Sequence, residues 1–150
     1  MIKSVEGNIL DASENVICQQ VNCKGIMGAG LAKDIILRYP VVYSQYRKYC
    51  NIQESLLGNV LYIMVKIPNK IIACLFGQDD YGRSNKVYTN YQALEQALTK
   101  VCLYAKENNY SIAIPYELGC GLANGDWNIV YDMIKRVFEN FNVTIYRLEK

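Results

Sequence analysis

Val16-Ile-Cys-Gln-Gln-Val21-Asn22-Cys-Lys-Gly25-Ile-Met-Gly28-Ala-Gly30-Leu31 passes from a largely apolar run into three glycines and then into helical spacing. About ninety residues later the pattern returns as Ser111-Ile-Ala-Ile-Pro115-Tyr-Glu-Leu-Gly119-Cys-Gly121-Leu-Ala-Asn-Gly125-Asp126-Trp127. The two clusters hold six of the ten glycines, each where a strand is expected to run into a helix. Glycine permits close approach of a ligand to the backbone. A helix starting just beyond adds unpaired N–H groups and a partial positive charge. Such an arrangement is an anion cradle, most often for phosphate. Two of them suggest one elongated ligand clamped between two loops.

The surrounding sequence supplies the frame. Ile2–Glu6 reads as a strand and Gly7-Asn8-Ile9-Leu10 as the turn leaving it, and Val16–Asn22 reads as a second strand. Leu31, Ile35 and Ile36 follow helical spacing up to the stop signal Tyr39-Pro40, and Val41–Cys50 follows as a helix opened by Pro40. Asn59–Ile67 and Lys70–Phe76 flank Pro68-Asn69 as a hairpin, and polar Gln78–Lys86 is a loop. Tyr91, Leu94, Leu98, Val101 and Ala105 give one face of a long helix. Ser111–Ile114 is a short strand apolar on both faces, as a covered parallel strand must be. Asp126 is placed to cap a last helix whose stripe is Trp127, Val130, Met133, Ile134 and Val137, and Asn142–Leu148 closes as a strand. Alternating strands and helices predict a three-layer α/β/α sandwich with a mixed, mostly parallel central sheet, and residues 1–150 read as a single domain. Ligands of such sheets lie beyond the strands' carboxyl ends, where both glycine loops emerge.

Composition narrows the chemistry. The chain has 150 residues, 51% of them apolar, and no run reaches the ~18 needed to cross a membrane. Met-Ile-Lys-Ser-Val-Glu-Gly has no signal-peptide pattern, so a cytoplasmic protein is expected. A net charge of +2 on scattered basic residues is no nucleic-acid footprint. Six cysteines without a C-x-x-C pair, and no histidine, argue against a metal site. Four of the cysteines lie in apolar surroundings and read as small core residues. Without histidine, any general base is a carboxylate, lysine, tyrosine, thiolate or the substrate itself.

Common phosphate fingerprints are absent: there is no G-x-x-x-x-G-K-[ST], and G-x-x-G-x-G is not the dinucleotide order. Gln19-Gln-Val-Asn22-Cys-Lys-Gly-Ile-Met-Gly28-Ala-Gly30-Leu-Ala instead resembles the first ligand loop of macrodomains, the ADP-ribose-binding α/β/α modules. Ile114-Pro115-Tyr-Glu-Leu-Gly119-Cys-Gly121-Leu-Ala-Asn-Gly-Asp126-Trp127 resembles their phosphate-binding loop. Leu75-Phe-Gly-Gln78-Asp-Asp-Tyr81-Gly82-Arg83 and Tyr91-x-x-Leu94 are similar to the compact branch containing terminal ADP-ribose glycohydrolases and ADP-ribose-1″-phosphate phosphatases.

The resemblance implies a set of roles. Asn8 and Ile9 would contact the adenine edge, with Asn8 where relatives carry aspartate, and Tyr146 would pack near the base. Asn22 with Met27, Gly28, Ala29, Gly30 and Leu31 would hold the distal ribose and part of the diphosphate. Gly119, Cys120, Gly121 and Leu122 would wrap the diphosphate, and Gln20, Pro115 and Leu118 would complete the ligand contacts. Relatives that cleave terminal ADP-ribose pair a lysine with an aspartate. Gln78 and Ala123 occupy those positions here, so Schiff-base chemistry at the opened ribose is unavailable. Asn22, Gln78 and Asp126 are the candidate catalytic residues, with Asp79, Asp80 and Glu117 as further possible bases. Cys120 reads as a small loop residue, although a helix N-terminus would lower its thiol pKa. No cofactor or metal is expected; the expected partner is ADP-ribose or an ADP-ribosylated macromolecule, bound by a monomer. Three functions remain open: hydrolase of ADP-ribosyl adducts, non-catalytic ADP-ribose reader, and ADP-ribose-1″-phosphate phosphatase.

Overall fold

Six strands form one sheet in the order β1-β6-β5-β2-β4-β3 in a computed structural model that describes residues 1–148. The strands are β1 (Ile2–Glu6), β2 (Val16–Val21), β3 (Val60–Lys66), β4 (Lys70–Phe76), β5 (Ile112–Pro115) and β6 (Val143–Arg147). The helices are α1 (Gly30–Arg38), α2 (Val41–Ile52), α3 (Tyr91–Asn108) and α4 (Trp127–Val137). Four strand pairs are parallel, and only the β3–β4 hairpin is antiparallel. The mixed, mostly parallel sheet read from the sequence is the observed one. No described helix is long and apolar enough to cross a membrane.

Strand alternation divides the core into two layers. On one face Val16, Cys18, Ala73, Leu75, Ile112 and Ile114 meet Leu94, Leu98 and Val101 of α3 and Val130, Met133 and Ile134 of α4. On the other face Ile17, Val21, Ile72, Cys74 and Phe76 meet Ile35 of α1 and Val42 and Tyr46 of α2. Because side chains point to alternate faces with period two, every second residue of β2 and β4 serves a different helical layer. That explains why these strands read as largely apolar runs.

The departures from the sequence reading are local. Ile9–Asp11 is a short 3₁₀ helix rather than an open turn, because Asn8 Oδ1 accepts the Leu10 N–H and fixes the entry. Helix α2 continues to Ile52, two residues beyond the expected end. Trp127, expected in the stripe of α4, is half-buried, packing edge-on against Tyr116 at 5.1 Å. Cys18, Cys74 and Cys102 are buried in the core, and half-buried Cys23, Cys50 and Cys120 pack against it, so the apolar surroundings expected for four cysteines extend to all six.

Candidate functional site

Strand β2 ends at Val21 and β5 at Pro115, and both glycine loops leave from these adjacent carboxyl ends. They enclose a cavity of about 700 Å³. Its floor includes Gln20, Asn22 and Gln78, its walls are residues 26–32 and 115–119 with 121–123, and Tyr81, Gly82 and Arg83 form its rim. The two sequence-distant loops therefore face one cleft.

The first loop is organised by Asn22, which is only 7% exposed. Its Oδ1 accepts the N–H of Lys24 at 2.9 Å and the hydroxyl of buried Tyr46 at 2.8 Å. Its Nδ2 donates to the Ile26 carbonyl at 2.8 Å, leaving one amide hydrogen unused. The Tyr46 hydroxyl also donates to the Asn22 carbonyl at 2.6 Å. Beyond this anchor the N–H groups of Met27, Gly28 and Ala29 have no acceptor among the described residues. Helix α1 then starts at Gly30 without a side-chain cap on Ala29, so its first N–H groups stay free.

The second loop is closed by its own backbone. Cys120 N–H donates to Glu117 O at 2.8 Å, Asn124 N–H to Gly121 O at 3.0 Å, and Gly125 N–H to Gly119 O at 3.0 Å. Thr89 Oγ1 donates to Gly119 O at 2.6 Å. The N–H groups of Gly119, Gly121, Leu122 and Ala123 are left without acceptors among the described residues. A methyl group built on Gly28 or Gly121 meets no atom within 4 Å, and neither residue has a positive φ. These two glycines border open space rather than solving a backbone problem. Gly125 is the opposite case, since a Cβ there would lie 2.5 Å from Gly119 O.

The floor is an amide network. Gln20 Nε2 donates to Gln78 Oε1 at 2.8 Å and to Thr89 Oγ1 at 2.9 Å, and Gln78 Nε2 donates to the Asp80 carbonyl at 2.8 Å. Gln20 thus has both donors engaged internally, and its Oε1 is buried without a partner. Gln19, 2% exposed, also borders the cavity and has an unpartnered Oε1.

Of the sequence-derived site residues, Gln20, Asn22, Met27, Gly28, Ala29, Gly30, Leu31, Gln78, Pro115, Leu118, Gly119, Gly121 and Leu122 come together around the cavity. Five do not line it. Asn8 and Ile9 sit on the 3₁₀ turn, with Ile9 5% exposed in the core. Tyr146 donates its hydroxyl to Glu14 at 2.6 Å, and burial and that carboxylate push its phenol up to about 12. Cys120 turns its thiol to the Leu118 carbonyl at 3.3 Å. Burial, then Glu117 and Asp126, push that thiol up to about 11, the reverse of the lowering expected from a helix N-terminus. Asp126 accepts the Asn128 N–H at 2.9 Å as the cap of α4. Asp79 pairs with Lys24 at 3.6 Å and Asp80 accepts the Tyr81 N–H at 2.8 Å. Glu117 is the only carboxylate and Arg83 the only cation among the described residues lining the cavity.

The roles of Gln19, Tyr116 and Tyr46 escaped the sequence reading. Tyr116 borders the cavity with Arg147 4.3 Å over its ring, and Tyr46 lies 24 positions from the asparagine it anchors. Only the tertiary fold brings these groups to the loops.

Two glycine loops facing each other over parallel strand ends in an α/β/α sandwich are the arrangement of macrodomains, and the chain has the macrodomain fold. Within that class it is similar to the compact branch acting on ADP-ribose derivatives. It is 27% identical over 143 residues to the DNA ADP-ribosyl glycohydrolase of Mycobacterium tuberculosis, covering 93% of this chain and 39% of that protein. The chain thus spans well under half the length of that curated relative. It is 25% identical over 156 residues to the ADP-ribose 1″-phosphate phosphatase of Candida albicans, covering 97% of this chain and 99% of that one. The macrodomain of Mycobacterium tuberculosis DarG superposes with a TM-score of 0.84 at 25% identity, covering 97% of each chain. No protein-family model matches the chain.

Proposed function

We propose that the chain binds ADP-ribose in this cleft and hydrolyses ADP-ribosyl adducts of protein or nucleic acid. The observation that carries the reading is the pair of facing loops, lining one cavity, whose residues keep N–H groups without acceptors among the described residues. Peptide N–H groups fixed by a folded loop bind a diphosphate without reorganising. The similarity to a DNA ADP-ribosyl glycohydrolase and an ADP-ribose 1″-phosphate phosphatase supports the same ligand class.

Among the described residues no lysine lines the cavity, which favours a route that does not open the ribose through a Schiff base. Cleavage by direct attack of water on a held ribose fits the remaining groups. Asn22, with one amide hydrogen to offer, and Gln78, similarly placed on the floor, orient the distal ribose. A diphosphate oxygen orients the water.

Calorimetry with ADP-ribose tests the binding, with micromolar affinity expected. Incubation with ADP-ribosylated protein and DNA tests release. A flat time course at high enzyme, with binding retained, overturns the hydrolase and leaves a reader. The reader is the second reading, favoured by the internal hydrogen bonds that already occupy Gln20 and Gln78. Phosphate release from ADP-ribose 1″-phosphate would identify a phosphatase.

A further inference from the structure

The cleft's two charges stand on opposite flanks. Glu117 follows β5, Arg83 follows β4, and β2 runs between those strands in the sheet. The Arg83 flank is joined to the start of the first loop, where Cys23 N–H donates to Asp79 O at 3.0 Å and Cys23 Sγ to Gln78 O at 3.4 Å. Under the function proposed above, on which this inference rests, that flank receives the distal ribose.

The rim carrying Arg83 is a built loop. Asn124, in the left-handed region at φ 62°, donates from Nδ2 to Ser84 O at 2.9 Å and Lys86 O at 2.8 Å. Tyr88 N–H donates to Ala123 O at 2.8 Å, and its hydroxyl meets Ser84 Oγ at 2.7 Å beneath Gly82. The second glycine loop therefore holds the arginine's backbone in place. Arg83 itself makes no ion pair or hydrogen bond among the described residues. A guanidinium with five free donors, carried on a backbone that is held at the rim, matches a carboxylate or phosphate.

We propose that Arg83 forms a second anion subsite, separate from the two glycine loops, which takes an oxyanion carried on the distal ribose or leaving from it. The need for it follows from the lining: among the described residues no carboxyl on this flank lines the cavity to protonate a leaving group. When an ester is cleaved, the water oxygen bonds to the anomeric carbon. The bond from that carbon to the acyl oxygen breaks, and its electron pair stays on the departing carboxylate. The water's proton passes to solvent. The guanidinium meets the charge that forms.

Two experiments with the wild-type chain, Arg83→Gln and Arg83→Lys test the subsite. Calorimetry compares ADP-ribose with ADP-ribose 1″-phosphate, reporting on a phosphate already carried by the ligand. Wild type is expected to favour the phosphorylated ligand about tenfold, the scale of one charge-assisted hydrogen bond. Arg83→Gln removes the preference while ADP-ribose affinity stays within about twofold, and Arg83→Lys retains part of it. Release of ADP-ribose from glutamate-modified protein reports on a carboxylate formed as it leaves; there Arg83→Gln lowers the rate about tenfold. A change in either experiment supports the subsite and names its anion. A variant equal to wild type in both overturns it while the proposed function stands. A wild-type chain that binds neither ligand and releases nothing takes down that function and the subsite together.

Discussion

The two glycine loops resemble each other in sequence and differ in how they end. The first runs into an uncapped helix: Ala29 supplies no side-chain acceptor, so α1 presents its first turn of N–H groups and a partial charge of about half a unit. The second runs into a capped helix, because the Asp126 carboxylate takes the Asn128 N–H. Its affinity for an anion must come from the loop's own N–H groups. The same glycine-rich appearance therefore conceals two electrostatic devices, one using a helix terminus and one using only a folded turn.

Substitutions can break this comparison, and the largest effect is expected from the bordering glycines. Gly28→Val and Gly121→Val should each weaken ADP-ribose binding at least ~100-fold, because the added carbons fill the ligand's space. Their melting temperatures should stay near wild type, since neither site has a positive φ or a close neighbour. Calorimetry and thermal denaturation read both outcomes, and an unfolded variant would show that the glycines serve the fold.

Asn22→Ala comes next. Removing the side chain leaves Tyr46 and the Lys24 N–H with unmet hydrogen bonds, costing about 1–3 kcal/mol. It should also loosen only the first loop, lowering turnover more than Asp126→Ala does. The reverse order in a kcat comparison would return the acid/base role to Asp126. Asp126→Ala should cost about 1 kcal/mol, the loss of a helix cap, in urea titrations. ADP-ribose affinity should be unchanged or slightly improved, because a negative charge near the second loop has gone.

The smallest effects are near zero. With its thiol raised to about 11, Cys120 is almost wholly protonated at pH 7. Iodoacetamide should modify it no faster than an ordinary buried cysteine, and mass spectrometry after timed quenching checks this. EDTA should leave ADP-ribose affinity intact, since no metal is proposed in the cleft.

Much of this was legible in the sequence because the signals were local. The β2 and β4 runs, the Tyr39-Pro40 stop and the Asp126 cap each follow from neighbouring residues, and glycine spacing marked both loops. What could not be read depended on contacts across the fold. Asn22 shows a polar residue after a strand, but not that Tyr46 fixes it as the hub of a loop. Gln19 and Gln20 look like one polar pair, yet strand alternation sends them to different layers. Asp79, Asp80, Glu117 and Asp126 are equivalent as carboxylates in a string of letters. Only backbone direction shows that Glu117 alone borders the cavity.

Strand β2 is paired on both sides, to β4 and to β5, in the middle of the sheet. Amide protons there are expected to exchange only through global unfolding, whereas those of peripheral β1 and β3 exchange through smaller openings. The floor of the cleft thus belongs to the last part of the molecule to come apart. Fraying at the borders can proceed without disturbing the geometry on which recognition depends.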